Sequence, residues 1–132
     1  MTDRPAQNGV LVVEDEALVR LLVVQALEDA GFAVSEAAEA NTAMEVLRAD
    51  DGIRLMVTDV GLPGLNGRQL ADQARAHRPD MKILFMTGYA DTNLIEKALP
   101  EGFGLIHKPF DLDDLAARAQ ALVEADHSAA GP

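Results

Sequence analysis

Four short apolar runs of this 132-residue sequence are each followed or ended by a side chain that could do chemistry. The run Leu55–Asp59 ends in a carboxylate, and a loop rich in glycine and proline follows it. The other three runs are followed by two acids, a hydroxyl and an amine: Glu14 and Asp15, Thr87, and Lys108. Such runs predict buried strands, and functional groups in open α/β sheets lie just beyond the carboxyl ends of strands. We therefore expect all five side chains to meet at one edge of a sheet.

The predicted cluster of three carboxylates has a chemical consequence. Carboxylates that share a pocket repel each other, so the pocket is costly unless a hard cation occupies it. A few carboxylates with water and a substrate phosphate suit Mg²⁺. Lys108 supplies a point charge for phosphate oxygens, Thr87 a hydroxyl that can follow a new group, and Asp59 a nucleophile able to form an aspartyl phosphate. These residue types predict Mg²⁺-dependent phosphoryl transfer onto Asp59.

Four motifs, in order along the chain, resemble those of a response-regulator receiver domain over about residues 9 to 124. They are VLVVEDE from Val10, TD-x-x-LPG-x-x-G from Thr58, MTG from Met86 and KPF from Lys108. Strands alternating with helices over about five units predict an α/β fold with a parallel central sheet. The resemblance adds a doubly wound, flavodoxin-like topology in which five strands have the order 2-1-3-4-5.

The resemblance also implies a role for each residue of the cluster. Asp59 is the phosphoacceptor, Asp15 binds Mg²⁺ directly, and Glu14 binds it through water or lines the pocket wall. The backbone carbonyl of Gly61 completes the protein ligands. The Lys108–Pro109 bond is implied to be cis, an isomer that costs little before proline. The phosphoryl donor is implied to be a histidine kinase or histidine phosphotransfer protein, and the domain catalyses only its own modification.

One part of the sequence departs from the family pattern. The strand position two or three residues before the lysine usually holds an aromatic residue that rotates inward on phosphorylation, and here Leu105 and Ile106 occupy that stretch. Tyr89, the single tyrosine, lies two residues after Thr87. We expect phosphorylation to draw Thr87 inward, to move Tyr89 and to reorder a short helix predicted over residues 92–99.

The helix predicted between Asp15 and about Asp29 has more apolar side chains than packing on a sheet requires. The spacing predicts a buried stripe of Val19, Leu22, Val23, Ala26 and Leu27. Leu18, Leu21 and Val24 lie beside this stripe and are also apolar. A wide core face and a surface for partner docking or self-association are both compatible with the pattern. The resemblance favours docking, because receivers dock kinase helices near this helix.

The remaining elements carry no visible chemistry. They are a weak edge strand over Phe32–Ala37, a helix from a cap at Asn41 to about Arg48, a helix from about Arg68 to His77, and a final helix capped by Asp111. Residues 1–8 are predicted to be a flexible N-terminus, 9–124 the receiver domain, and 125–132 a flexible tail.

Bulk composition narrows the class of partner. The chain has 11 basic and 22 acidic residues, a formal net charge of -11, which argues against nucleic-acid binding. It has no cysteine, no signal-peptide pattern and no apolar stretch that could span a bilayer. We expect a soluble, cytoplasmic protein that is a monomer or weak dimer and does not bind membranes.

Three other functions fit the sequence less well than a receiver does. A phosphohydrolase of the haloacid-dehalogenase kind also uses a strand-end aspartate but requires a second one two residues later, where Gly61 stands. A flavodoxin-like nucleotide binder needs a first loop rich in Gly, Ser or Thr, whereas Glu-Asp-Glu stands there. An interaction module independent of phosphorylation is disfavoured by the complete acceptor set. A free-standing regulator, a phosphate sink or relay, and the receiver of a hybrid kinase stay open.

Overall fold

A computed structural model describes the backbone of residues 9–88 and 101–130, and their side chains as far as residue 124. The strands are β1 (Gly9–Val13), β2 (Ala33–Ala37), β3 (Ile53–Asp59), β4 (Lys82–Thr87) and β5 (Phe103–His107). The helices are α1 (Ala17–Asp29), α2 (Ala40–Ala49), α3 (Gly67–His77) and α4 (Leu112–Ala130). Tyr89 and the helix predicted over residues 92–99 lie outside the described residues.

The five strands form one parallel sheet in the order β2-β1-β3-β4-β5. This confirms the predicted fold class and strand order, including the edge position of β2. Strand β1 is buried along its whole length, and β3 is buried at every position except Arg54. Parallel strands covered on both faces are apolar almost throughout, which is why these two runs were recognisable from the sequence.

Side chains alternate between two cores on opposite faces of the sheet. Val10 and Val12 point towards α1 and α4, whereas Leu11 and Val13 point towards α2 and α3. Helices on both faces leave the carboxyl ends of the strands open along one edge. That edge carries the chemical side chains.

Helix α1 is oriented differently from the prediction. Leu22, predicted to be core, is 42% exposed, and Val24, predicted to be part of the docking surface, is only 7% exposed. Leu18 and Leu21 are exposed as expected, at 68% and 50%. The buried stripe of α1 is Val23, Val24 and Leu27. We call the exposed residues Leu18, Leu21 and Leu22 the α1 surface.

This orientation predicts opposite results for two substitutions on one helix. Leu21→Glu places a carboxylate in water and should change the free energy of unfolding by about 0.5 kcal/mol or less. Val24→Glu buries an unpaired charge among apolar side chains and should cost about 3 kcal/mol or more. Urea unfolding followed by circular dichroism measures both. If Leu21→Glu were as destabilising as Val24→Glu, the α1 surface would be part of the core.

The helix ends differ in part from the prediction. Helix α3 begins with a capping box: Asn66 Oδ1 accepts from Gln69 N at 2.9 Å, and Gln69 Oε1 accepts from Asn66 N at 3.0 Å. The cap predicted at Asn41 is wrong, because α2 already begins at Ala40 and its N-cap residue, Glu39, makes no side-chain cap bond. Helix α4 continues to Ala130, beyond the boundary predicted at residue 124. Its last turns are rich in alanine, the best helix former.

No helix in residues 9–88 or 101–130 is long and apolar enough to cross a membrane.

Candidate functional site

Three carboxylates converge where β1 and β3 end. These strands are neighbours, with Val13 paired to Thr58, so the residues that follow β1 lie beside the end of β3. One carboxylate oxygen from each of Glu14, Asp15 and Asp59 lies within 4.8 Å of the other two. Glu14 and Asp59 are buried, whereas Asp15 is exposed to solvent. The cluster is therefore a pocket with two buried walls and one open side.

Lys108 joins this cluster from the edge strand. Its Nζ lies 3.2 Å from Asp59 Oδ1 and 3.5 Å from Glu14 Oε1. Strand β4 separates β5 from β3, so only a long, flexible side chain that follows β5 can make both contacts. The Lys108–Pro109 peptide bond is cis, as the resemblance implied. The site thus holds a cation beside three acids.

The cluster shifts the pKa of two of its members. Burial, followed by repulsion from Asp59, raises the pKa of Glu14, and the hydrogen bond from the Glu16 amide only partly opposes this. Burial lowers the pKa of Lys108, but attraction to Asp59 and Glu14 outweighs it, so the net shift is upward. Lys108 is therefore firmly charged at neutral pH, whereas the fold disfavours the negative charge of Glu14.

The two oxygens of Glu14 have different surroundings. Oε2 accepts a hydrogen bond from Glu16 N at 3.0 Å. Oε1 is buried and accepts no hydrogen bond from any described group, because its 3.5 Å contact with Lys108 is an ion pair only. A buried carboxylate oxygen whose one nearby cation lies beyond good hydrogen-bond distance is incompletely satisfied, which is unfavourable in a protein interior. A hard divalent cation, or water bound to it, would satisfy this atom, so the donor set fits Mg²⁺.

Backbone hydrogen bonds tie the ends of three strands together around Thr87. Val60 N donates to Met86 O at 3.0 Å, and Lys108 N donates to Thr87 O at 2.8 Å. The Thr87 side chain is fully buried, and its hydroxyl donates to Gly88 O at 3.2 Å. Thr87 therefore lies where β4 ends, between the strand that carries Asp59 and the strand that leads to Lys108.

The loop after Asp59 returns closely to that residue. Gly61 N lies 3.5 Å from Asp59 Oδ1, a long contact, and Gly61 is exposed on the rim of the pocket. Gly67 N donates to Val60 O at 2.8 Å, and a Cβ at position 67 would collide with the Asp59 carbonyl oxygen. The first residue of α3 therefore packs directly against the backbone of Asp59. Metal ligation by the Gly61 carbonyl stays a prediction.

Leu105 occupies the β5 position that usually holds an aromatic residue in receivers. Leu105 is half-buried and packs against the core on the α2 and α3 side. Two residues earlier on the same face, Phe103 lies 5.9 Å from the Phe85 ring, and the Arg75 guanidinium lies 5.0 Å from the Phe103 centroid. Phe103 was not among the residues predicted from the sequence. The signal for it is the period of two along β5.

A second residue that the sequence analysis overlooked is Arg20. Its Nη1 donates to the Glu14 carbonyl oxygen at 2.8 Å, and its Nε donates to Glu36 Oε1 at 2.9 Å. The signal in the sequence is a lone cation in an apolar helix, six residues after Glu14. The guanidinium therefore connects α1, the loop after β1 and the edge strand β2.

A match to one protein-family model over most of the chain identifies the family of this sequence. The family model of the response regulator receiver domain matches residues 10–120. The chain belongs to this family. Receiver domains are signalling modules of two-component systems rather than metabolic enzymes, they interact with histidine kinases or phosphotransfer proteins, and they typically use Mg²⁺.

Curated receivers and solved receiver structures are similar to this chain. It is 36% identical over 126 residues to the sensor kinase CckA of Brucella abortus (strain 2308), covering 93% of this chain but 13% of that protein. It is 33% identical to the response regulator receiver protein CpdR of the same strain, covering 86% of this chain and 95% of CpdR. A CheY-like receiver domain protein from Methanospirillum hungatei JF-1 superposes with a TM-score of 0.83 at 27% identity, covering 92% of this chain and 97% of that one.

Proposed function

We propose that Asp59 accepts a phosphoryl group from a histidine kinase or a histidine phosphotransfer protein, in a reaction that depends on Mg²⁺. One observation carries this proposal. The Glu14, Asp15 and Asp59 carboxylates converge within 4.8 Å, and Lys108 Nζ lies 3.2 Å from Asp59. Three acids alone would repel a phosphoryl group, whereas three acids with a lysine and a bound cation can hold one.

The proposed transfer assigns one task to each side chain. A carboxylate oxygen of Asp59 attacks the phosphorus, an acyl phosphate bond forms, and the bond to the donor imidazole nitrogen breaks as that imidazole leaves. Lys108 is placed to attract the phosphoryl oxygens, and Thr87 to donate its hydroxyl to one of them in the product. Mg²⁺ bound by Glu14, Asp15 and Asp59 would neutralise the acids and the incoming phosphate.

Partner recognition is proposed to involve the α1 surface. Leu18, Leu21 and Leu22 are exposed on a helix that begins beside the acidic cluster, so a protein that delivers phosphate there can cover them. Val24 is removed from this assignment because it is buried. Coverage of CpdR is nearly complete and coverage of CckA is partial, so a stand-alone regulator, a phosphate sink and a hybrid-kinase receiver are all consistent with the domain.

A haloacid-dehalogenase type of hydrolase is not favoured by the structure. Its second acid would have to occupy the position of Gly61, which lies on the exposed rim and offers no carboxylate. The Asp59 acyl phosphate therefore has no adjacent general acid or base on this loop among the described residues. The proposed product is a phosphorylated protein that carries a signal.

The proposal is tested by incubating the protein with Mg²⁺ and acetyl phosphate and then measuring its intact mass. We expect a single phosphoryl group that is stable to acid and labile to base, as an acyl phosphate is. A chelator in excess over Mg²⁺ should prevent labelling, because the ion supplies charge neutralisation that Lys108 alone does not. Labelling that is undiminished by the chelator would contradict the proposed metal dependence.

A further inference from the structure

The loop between β1 and α1 carries two of the three acids of the cluster. Neither the Glu16 nor the Asp15 side chain does much to hold this loop in place. The N-cap residue of α1, Glu16, makes no side-chain cap hydrogen bond. Asp15 is exposed, and no contact of its side chain is seen among the described residues apart from its place in the acidic cluster. The position of the Asp15 carboxylate therefore depends on the backbone that holds it.

Three hydrogen bonds hold the loop at Glu14, two through its backbone groups and one through its side chain. Glu14 N donates to Ala37 O of β2 at 3.1 Å, and Glu14 Oε2 accepts from Glu16 N at 3.0 Å. The third bond, from Arg20 Nη1 to the Glu14 carbonyl oxygen at 2.8 Å, is the short, charge-assisted one. This carbonyl belongs to the peptide unit that joins Glu14 to Asp15, so Arg20 holds the plane from which both carboxylates extend.

The guanidinium is itself held in place from two sides. Helix α1 carries Arg20 one turn beyond the loop, and Arg20 N donates to Glu16 O at 2.9 Å. On β2, Glu36 Oε1 accepts from Arg20 Nε at 2.9 Å, and the Arg20 side chain is mostly buried. A planar guanidinium with several donors can make both bonds at once, whereas a lysine ammonium at this position has to favour one of them.

From these contacts we infer that Arg20 is a positioning residue for the acidic cluster: it fixes the peptide between Glu14 and Asp15 so that both carboxylates point at one cation. The inference rests on the proposed function, since it takes the cluster to be a Mg²⁺ site. Groups that orient metal ligands from outside the coordination sphere typically contribute about 10- to 100-fold in affinity.

Simple electrostatics predicts the opposite change in Mg²⁺ affinity when Arg20 is removed. Arg20 carries a positive charge next to an acidic cluster, so its removal should attract a cation more strongly if charge alone mattered. Positioning predicts that its removal loosens the loop and weakens cation binding. The sign of the change in Mg²⁺ affinity therefore separates the two explanations.

The test compares Arg20→Gln with Arg48→Gln. Both variants replace one arginine on a helix by glutamine, but Arg48 is exposed at the end of α2, away from the cluster. Titration calorimetry with MgCl₂ alone should show about tenfold weaker binding for Arg20→Gln than for wild type. Arg48→Gln should match wild type or bind slightly more tightly. Arg20→Lys should recover part of the loss, because an ammonium can still donate to the Glu14 carbonyl.

A metal-free readout makes the test independent of Mg²⁺. The Glu16 amide donates to Glu14 Oε2, so its hydrogen exchange reports whether the Glu14 side chain keeps its place. Exchange at Glu16 should be faster in Arg20→Gln than in wild type and unchanged in Arg48→Gln. If wild type does not bind Mg²⁺, the proposed metal site fails, and this arm still decides whether Arg20 positions the loop.

Two results would overturn the inference. One is Mg²⁺ binding by Arg20→Gln that equals or exceeds that of Arg48→Gln, and the other is unchanged exchange at the Glu16 amide. If Arg20→Gln does not fold, Arg20→Lys and Arg48→Lys, which both keep the charge, replace the glutamine pair. Weaker Mg²⁺ binding by Arg20→Lys than by Arg48→Lys supports the inference, and equal binding overturns it.

Discussion

Asp59→Asn is expected to abolish phosphoryl labelling by acetyl phosphate in the presence of Mg²⁺. An amide oxygen is a poor nucleophile, and Asp59 is the acid nearest to the lysine: Lys108 Nζ lies 3.2 Å from Asp59 Oδ1 and 3.5 Å from Glu14 Oε1. Asparagine has nearly the same shape as aspartate, so the fold should be retained. Intact mass spectrometry measures the labelled fraction, and far-UV circular dichroism checks the fold.

The matched control for this variant is Asp29→Asn. Asp29 is an exposed acid at the end of α1, so the control changes the same functional group and the same net charge outside the cluster. It should label as wild type does. Equal labelling of Asp59→Asn and wild type would show that the phosphoryl group is attached elsewhere and would remove Asp59 from its proposed role.

Mg²⁺ is expected to raise the melting temperature of the wild-type protein substantially. If only the folded state binds the ion, a concentration of 100 times Kd adds about 2.7 kcal/mol of stability. For a domain of this size that corresponds to a shift of roughly 10 °C. Differential scanning calorimetry measures the shift, with KCl at equal ionic strength as the control for screening. An unmoved melting temperature in millimolar Mg²⁺ would contradict a shared carboxylate pocket.

Glu14→Gln should separate the cost of the buried charge from the benefit of the ion. Without metal, the variant should be more stable than wild type, because a neutral amide replaces a buried carboxylate that Asp59 repels. With Mg²⁺, it should gain less stability than wild type, because one ligand of the cluster is lost. A metal-free variant less stable than wild type would show that attraction to Lys108 outweighs the burial of Glu14.

The stability difference between wild type and Glu14→Gln is expected to depend on pH. Because burial raises the pKa of Glu14, the folded protein keeps this proton at pH values where the unfolded chain has lost it. The unfolded state then binds fewer protons, so metal-free stability falls as pH rises from the ordinary glutamate pKa through the raised pKa of the fold. The difference in stability between wild type and Glu14→Gln should therefore widen over that interval.

The sequence predicted the fold because its strands are covered on both faces and its turns are well marked. The apolar runs ending near Val13 and Asp59 are recognisable by composition, and the helix predicted from about Arg68 to His77 is α3 (Gly67–His77) to within one residue. To predict where the side chains of the site lie, it was enough to know that the carboxyl ends of parallel strands share one edge of the sheet. The convergence of the three carboxylates and Lys108 follows from that rule, whereas their roles stay predictions until phosphoryl transfer is measured.

Helix α1 shows why part of the prediction failed. Leu18, Leu21, Leu22, Val23 and Val24 are all apolar, so the period of the pattern does not determine which side of the helix faces the sheet. Packing against β2 and α4 decides that orientation, and it buries Val24 and exposes Leu22. Arg20 is recognisable in the sequence as a lone cation in an apolar helix, but its contact with Glu14 depends on how the helix is rotated about its axis.

Gly67 has a consequence for how this chain can evolve. Every other amino acid carries a Cβ, and any Cβ at this position collides with the Asp59 carbonyl oxygen. At Gly31 and Gly64 the positive φ angle is the constraint and the surrounding space is open, so substitution by asparagine is tolerable there. No such substitution is available at position 67. We therefore expect a substitution of Gly67 to be accepted only together with a change in the preceding loop that moves the Asp59 carbonyl away.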